Sequence, residues 1–468
     1  MDRPARHVAV IDIGKTNAKV VLHDLAERRD LAFRSTANTV RRDGPYPHYD
    51  LDRLFAFVVA SLGEVAEGYP LDAIAITTHG ASIVLVDDGG LTLPMIDYEF
   101  DIAGPESDAY DAVRPAFSET LSPPMGQGLN VGRQLYWLQT RFPEAFARTR
   151  WILTYPQYWA WRLTGIAAVE TTSLACHSDL WSPEQEDYSS LVDAMGWRAL
   201  FPERRSAFET LGPLLPDIAD RAGLGDRGHI PVACGIHDSN ASLLPHLLSR
   251  STPFSVVSTG TWIVSFAIGG RGVRLDPALS TLGNADAFGR TVPSGIFMGG
   301  RDFDVLTEGQ PEMPDESTVV SLIERAIMAL PGQTRGSGPF PHGPGGWSVD
   351  PRTLSNAERT AAASLYAALS TEAVLRNIGA DGPTIVEGPF SRNDLYLRAL
   401  RELTGRPVVA PAEGTGTSAG AALLALGPDA AIQPSAERAI PDRPLPNLDR
   451  YRAAWGATAR ASRLEETA

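Results

Sequence analysis

Carboxylates that close short apolar runs beside turns rich in glycine and threonine are the residues of this chain best suited to chemistry. Asp12 follows His7-Val8-Ala9-Val10-Ile11 and precedes Gly14-Lys15-Thr16-Asn17, with Lys19 two residues further on. A hairpin turn of this composition can offer backbone N–H groups and the Thr16 hydroxyl to a nucleotide phosphate. One carboxylate beside it suits Mg2+, which takes one or two carboxylates together with waters and substrate phosphates. Lys15 and Lys19 would add compact positive charge on flexible stems. They are the only lysines in 468 residues; the other basic residues, of 41 in all, are arginine. A solvated hairpin carrying an ordinary Asp is the plainer alternative. Gly14-Lys15-Thr16 also looks like the end of a P-loop, but the first glycine of that motif would fall on Ala9, and Val10 to Ile13 reads as an apolar strand.

Asp238 stands in Gly235-Ile236-His237-Asp238, after the apolar run Val232-Ala233-Cys234 and before a helical stretch. A carboxylate there can serve as general base for a hydroxyl that attacks a γ-phosphate. Capping the following helix is the competing role for Asp238, and His237 reads equally well as an ordinary satisfied histidine. Thr259-Gly260-Thr261 is a second turn small enough for backbone to approach a phosphate. Gly388, followed by Pro389 to Asn393, opens a strand–turn–helix unit of the kind that receives a nucleotide near a helix N-terminus. Gly414 to Thr417, including Gly416, is a further glycine and threonine turn before a helix of small residues. Metal hydrolysis through His79, His237 and Asp238 lacks close histidine spacings and a third obvious ligand.

The elements that must hold these residues read as α/β. Strands are expected at His7–Asp12, Lys19–Leu22, Leu31–Thr36, Ile74–Thr77, Val232–Cys234, Phe254–Ser258, Trp262–Ala267, Thr384–Glu387 and Val408–Ala410. Helices are expected at Leu51–Ala66, Gly132–Arg148, Gln157–Leu163, from Ser239, Thr318–Leu330, Ser355–Ile378, Asn393–Thr404, Ser418–Leu426 and from Leu448. Gly336 to Gly346 reads as a surface loop and Pro428 to Pro446 as a linker. The strand–turn–strand pattern restarts about half the chain later, with Gly14 lying over Gly260. Two similar domains, 1–247 and 248–468, with a cleft between them are expected.

Composition narrows the class. A net charge of −15 disfavours nucleic acid, whose phosphates need a basic surface. No apolar run reaches the ~18 residues of a membrane span, and the N-terminus does not resemble a signal peptide. Two cysteines, Cys176 and Cys234, make neither a disulfide framework nor a zinc cluster, which fits a reduced, cytoplasmic compartment.

Taken in order, these motifs resemble the FGGY carbohydrate kinases from about Val8 to about Gly427. Asp12-Ile13-Gly14-Lys15-Thr16 and Lys19 resemble the first phosphate motif, and Thr77-Thr78-His79-Gly80 the sugar-side motif. Gly132 to Leu138, Trp159 to Gly165, Gly235 to Asp238, Ser258 to Thr261, Gly388 to Asn393 and Arg406 to Val409 resemble further family segments. The resemblance implies two actin-like (ribonuclease H-like) ATPase domains, ATP and Mg2+ as cofactors, and a sugar as partner; a homodimer is common in the family. It implies Asp238 as base and Asp12 as the metal-side carboxylate. Phosphate or nucleotide contacts would come from Gly14, Lys15, Thr16, Asn17, Lys19, Thr259, Gly260, Thr261, Gly388, Asn393 and Gly416. Sugar contacts would come from Thr78, His79, Gly80, His237, Asp238 and either Asp97 or Glu99. His237-Asp238 and Ser258-Thr259-Gly260-Thr261-Trp262 resemble the rhamnulokinase and fuculokinase form. A kinase for another ketose or polyol, or a non-catalytic nucleotide switch on the same fold, are the alternatives. Lys15 replaces the family's usual Thr or Ala, Glu387-Gly388-Pro389-Phe390 replaces a Gly-Gly-Gly, and Met95 to Glu99 departs from the usual sugar-contact segment.

Overall fold

The computed structural model describes residues 5–225, 229–412 and 416–466. The chain divides into two compact units. The first holds Met1–Ser249, Gly283–Thr291 and Thr415–Pro434; the second holds Arg250–Leu282, Val292–Gly414 and Ser435–Ala468.

In the first unit β1 (His7–Ile13) is buried along its whole length. Apolar residues on both of its faces require cover on both sides. It pairs antiparallel with β2 (Asn17–Asp24), which pairs with the edge strand β3 (Arg29–Ala37). Helix α1 (Leu51–Val65) is capped by Asp50, whose side chain accepts from the Arg53 N–H. Its Leu54, Val58, Leu62 and Val65 are buried, as the 3.6-residue period requires. Strand β4 (Ala73–Thr78) runs parallel to β1. Strand β5 (Ile83–Asp87) was not foreseen.

Helix α2 (Val131–Arg141) is shorter than expected. Pro143 forces the residue before it out of helical geometry, and a separate short helix, Pro143–Phe146, follows. Strand β6 (Trp151–Thr154) pairs with β5 and leads into α3 (Tyr155–Thr164), which ends on Gly165 in left-handed geometry. After β7 (Thr210–Pro213), β8 (Pro231–Ala233) and β9 (Ile236–His237) comes α4 (Asp238–Ser249). The main sheet has the order β7-β8-β4-β1-β2-β3, with β9 also pairing β4.

In the second unit β10 (Phe254–Thr259) and β11 (Ile263–Ile268) form a hairpin, and β12 (Thr291–Phe297) pairs with β11. Then come α5 (Gly299–Leu306) and α6 (Glu316–Glu324). Helix α6 stops before the expected Leu330 because Ala326 takes a positive φ of 52°. Helix α7 (Asn356–Asn377) starts with a capping box of Ser355 and Glu358. Strand β13 (Thr384–Glu387), helix α8 (Asp394–Thr404) and strand β14 (Val408–Pro411) complete the strand–turn–helix–strand unit. Helix α9 (Thr417–Ala422) belongs to the first unit and passes into a 3-10 turn over Leu423–Leu426. Within the expected linker, β15 (Glu437–Arg438) pairs with β14; α10 (Leu448–Glu466) follows.

The second sheet has seven strands: Thr281–Ala285 at one edge, then β12-β11-β10-β13-β14-β15. Its hairpin and the parallel strands β13 and β14 reproduce β2-β1 with β4 and β8. The repeat spaced by Gly14 and Gly260 is therefore a repeat of topology.

The first sheet is covered on both faces. Ile11, Val20 and Ile76 pack with Leu54, Val58 and Leu62 of α1 and Trp159 and Leu163 of α3. Val8, Val10 and Ala75 pack with Ala241 and Leu244 of α4 and Ala421 and Ala422 of α9. Each fully buried large apolar side chain contributes roughly 1.5–3 kcal/mol. Helices α4 and α9 meet closely enough that a Cβ on Gly420 would lie 1.9 Å from the Ala241 carbonyl oxygen. That approach is why α9 is built from small residues.

Candidate active site

Three sheet-end features of the first unit bring the expected residues together. The first is the β1–β2 turn. Gly14 N–H donates to the Asn17 carbonyl at 2.8 Å, and Asn38 braces the turn by donating its side-chain amide to the Gly14 carbonyl at 2.8 Å. Thr16 and Asn17 are exposed, with Asn17 Nδ2 donating to Thr16 Oγ1 at 3.1 Å. Asp12 is buried at the end of β1. Its Oδ2 accepts from Ser418 Oγ at 2.7 Å and pairs with Lys19 Nζ at 3.2 Å. Gly416 is the N-cap of α9, the helix that delivers Ser418. The neighbouring Glu413, Gly414 and Thr415 lie outside the described residues.

Lys15 does not join its neighbours at the turn. Its ammonium pairs with Asp97 and lies 3.4 Å from Glu99 Oε2. It also sits 4.5 Å from the Tyr98 ring centre and 5.4 Å from that of Tyr49. Lys15, expected at phosphate, is thus placed on the acidic pair Asp97 and Glu99. Asp97 is buried, and a buried carboxylate without a partner is costly, so the nearest flexible cation is drawn to it.

The second feature is the end of β4. Thr78 is buried and donates its hydroxyl to the His79 carbonyl at 3.0 Å. His79 lies among the rings of Tyr49, Tyr98 and Tyr155, at 5.7, 5.3 and 5.0 Å between ring centres. Burial pushes its pKa down to about 4, so the ring is neutral at pH 7. His79 Nδ1 donates to the Gly80 carbonyl at 2.9 Å, which leaves Nε2 as an acceptor. That buried Nε2 has no hydrogen-bond partner among the described residues. A ligand hydroxyl suits it.

The third feature is the β9–α4 junction. Asp238 Oδ1 accepts from the Ser239 N–H at 2.6 Å and lies 3.0 Å from His237 Nε2. The Asp238 side chain is one-third exposed, whereas His237 is buried. His237 Nδ1 meets the Asn240 amide at 3.4 Å, and Cys176 Sγ lies 3.8 Å from Nε2. Burial opposes charge on both members of the pair. The His237 ring beside it nevertheless holds Asp238 below the usual carboxylate range. Cys176 and Asp238 in turn push the imidazole pKa up against its burial. Gly80 abuts this cluster: a Cβ there would lie 2.7 Å from His237 Nε2 and 3.1 Å from Cys176 Sγ. Neither Cys176 nor Asn240 was foreseen, because their positions carry no local motif.

The second unit holds Thr259, Gly260, Thr261, Gly388 and Asn393, and some of these line a cavity of about 410 Å³. Gly260, Thr261 and Asn393 line it, together with Phe303, Met313, Phe390 and Arg392, which were not foreseen. Phe303 and Phe390 meet edge to face, 5.2 Å between ring centres. Thr259 does not line the cavity. Its hydroxyl donates to the Glu387 carbonyl and accepts from the Phe390 N–H, which ties β10 to the turn after β13. Gly388 makes that tie possible, with φ of 81° and no room for a side chain: a Cβ would lie 1.9 Å from the Thr259 carbonyl oxygen. Asn393 caps α8, accepting from the Tyr396 N–H at 3.0 Å.

Residues 7–245 match the N-terminal domain of the FGGY family of carbohydrate kinases, and residues 251–434 match the C-terminal domain of carbohydrate kinase FGGY. The chain belongs to the FGGY family of carbohydrate kinases. As an FGGY kinase it is an enzyme that phosphorylates a sugar, and its two α/β units are the actin-like ATPase domains of that family. It resembles a carbohydrate kinase from Novosphingobium aromaticivorans, at 35% identity and a TM-score of 0.90, covering 98% of this chain and 100% of that one. A xylulose kinase from Rhodospirillum rubrum shares the fold at 18% identity and a TM-score of 0.78, with 97% and 98% covered. A rhamnulokinase from Halalkalibacterium halodurans is 23% identical over 261 residues, so the match spans about half of each chain, 54% in both cases. No helix is long and apolar enough to cross a membrane among the described residues.

Proposed function

We propose that this FGGY kinase transfers the γ-phosphoryl group of ATP to a primary hydroxyl of a ketose, with Asp238 as general base. The observation that carries the reading is the state of Asp238. His237 Nε2 and the Ser239 N–H both engage Oδ1, so Oδ2 is the oxygen suited to take the proton. A base already held as carboxylate is poised at neutral pH. The acceptor hydroxyl gives its proton to Asp238, its oxygen bonds to the γ-phosphorus, and the bond from that phosphorus to the β–γ bridging oxygen breaks, releasing ADP. His79 Nε2 orients the acceptor by accepting from a second hydroxyl.

Within the first unit the β1–β2 turn offers N–H and hydroxyl donors suited to phosphate; within the second the Gly260–Thr261 turn is likewise suited to phosphate, and the Phe303 and Phe390 wall to a flat base. Among the described residues no cluster of acidic, histidine or cysteine side chains forms a metal cage. That fits Mg2+ carried by the nucleotide and met by Asp12 alone, directly or through water. When bound, the ion would neutralise phosphate charge. Lys19 and Ser418 hold Asp12 through Oδ2 and fix its orientation.

Among ketoses, an L-rhamnulose- or L-fuculose-like acceptor is favoured by His237-Asp238 and Ser258 to Trp262, and the rhamnulokinase likeness agrees with it. An ADP-coupled screen of L-rhamnulose, L-fuculose, L- and D-ribulose, D-xylulose, glycerol and erythritol tests the reading. Asp238→Asn should abolish sugar-dependent ADP release while the fold persists. Near-normal turnover in that variant would refute the assigned base. ATP hydrolysis indifferent to every acceptor would favour a nucleotide switch.

A further inference from the structure

We propose that Lys15, although it lies within the first phosphate motif, is an acceptor-side specificity residue that works as a pair with Asp97. This rests on the kinase reading above. The geometry places the Lys15 ammonium on Asp97, 3.4 Å from Glu99 Oε2 and over the face of Tyr98. Tyr49 belongs to the same group: its hydroxyl donates to Asp97 Oδ1 at 3.3 Å, and the Glu99 N–H donates to the same oxygen at 3.2 Å. Tyr49 and Tyr98 are also two of the three rings around His79. Lys15 is therefore connected through shared walls to the histidine whose buried Nε2 lacks a partner. His79 feels the charges of both Lys15 and Asp238, which places all three in one electrostatic neighbourhood.

An ammonium has three N–H donors. Asp97 and Glu99 account for two directions, and the third remains for an oxygen of the acceptor. Asp97 supplies a matching acceptor beside it. Donor and acceptor side by side fit adjacent oxygens of a polyhydroxylated substrate. Two carboxylates outweigh the single lysine charge, so the cluster is net negative and favours a neutral ketose or polyol over a sugar acid. The extra lysine in this turn thus changes what the kinase accepts and leaves its grip on ATP alone.

The test separates the two substrates. Lys15→Thr and Lys15→Arg are assayed with ATP and the best acceptor of the panel, with D-gluconate as the anionic probe. Loss of a charge-assisted hydrogen bond to the acceptor is expected to raise the acceptor KM about ten- to a hundredfold in Lys15→Thr. The KM for ATP should stay within about twofold, and Lys15→Arg should recover part of the loss. The double variant K15M/D97N, which removes both charges, guards against misfolding caused by an unpaired buried Asp97. A rise in the ATP KM with an unchanged acceptor KM overturns the proposal, as does an unchanged pair of constants, or D-gluconate as the best wild-type acceptor. Calorimetric titration with a non-hydrolysable ATP analogue gives an answer independent of turnover. Equal affinity in wild type and Lys15→Thr supports the acceptor role, and weakened affinity refutes it. Wild-type inactivity toward the whole panel would instead count against the kinase reading.

Discussion

Gly80→Ala should disable the general base without touching it. Gly80 carries no positive φ that an L side chain would resist, so the perturbation is steric alone. The new Cβ would stand 2.7 Å from His237 Nε2, and contacts below about 3.4 Å are rare for a real Cβ. The imidazole must therefore retreat by about 0.7 Å, close to the displacement at which misplaced groups lose two orders of magnitude in rate. Its 3.0 Å contact with Asp238 Oδ1 would open beyond hydrogen-bond range. A hydrogen bond to a charged group is worth about 1.5–3 kcal/mol, which corresponds to a ten- to hundredfold fall in kcat. The sign of the pH effect follows from the same contact. His237 holds the Asp238 pKa down, so loosening it lets that pKa rise, and the acid limb of the rate profile moves to higher pH. Steady-state kinetics coupled to ADP release, run across pH, reads both effects. A kcat within twofold of wild type together with an unmoved acid limb would refute the reasoning.

Asp238→Asn should lose turnover while its melting curve stays close to wild type. Gly388→Ala combines a left-handed backbone with a Cβ 1.9 Å from the Thr259 carbonyl oxygen. It should cost about 3 kcal/mol and lower Tm by roughly 6–12 °C, read by calorimetry. Glu170 is buried, and burial raises its pKa from 4.5 to about 7. The folded state then binds a proton that the unfolded chain has lost, so wild-type stability should fall as pH rises from about 4.5 to 7. Glu170→Gln should flatten that fall, which amounts to about 3 kcal/mol, in urea melts at pH 5 and pH 8.

Much of the fold was legible because the strands are unusually uniform. His7 to Ile13 and Ala73 to Thr78 are buried throughout, with apolar cores at Val8–Ile11 and Ala73–Ile76 that lead into chemically distinct residues. Helix ends were less legible. The period of apolar residues ran on past Arg141 and Glu324, but Pro143 and the left-handed Ala326 stopped the helices earlier. Within the site, the glycines, threonines and carboxylates of the turns were found, while side chains delivered from elsewhere, and neighbours of a different kind such as Phe390 and Asn240, were not. Ser418 reaches Asp12 from 406 residues away, and Cys176 reaches His237 from 61. Lys15 shows the converse limit. Its place in the motif suggested phosphate, yet a flexible side chain follows charge, and the buried carboxylate of Asp97 lay within its reach.

The division of the chain into units has a temporal consequence. The first unit is assembled from three separated stretches, the last ending at Pro434. Synthesis at about 5–20 residues per second would deliver Ser418 roughly 20–80 seconds after its partner Asp12. Until α9 emerges, the sheet face bearing Val8, Val10 and Ala75 lacks part of its cover. A ribosome-bound chain halted soon after residue 250 would therefore present that face as a chaperone client, although it already carries every strand of the first sheet.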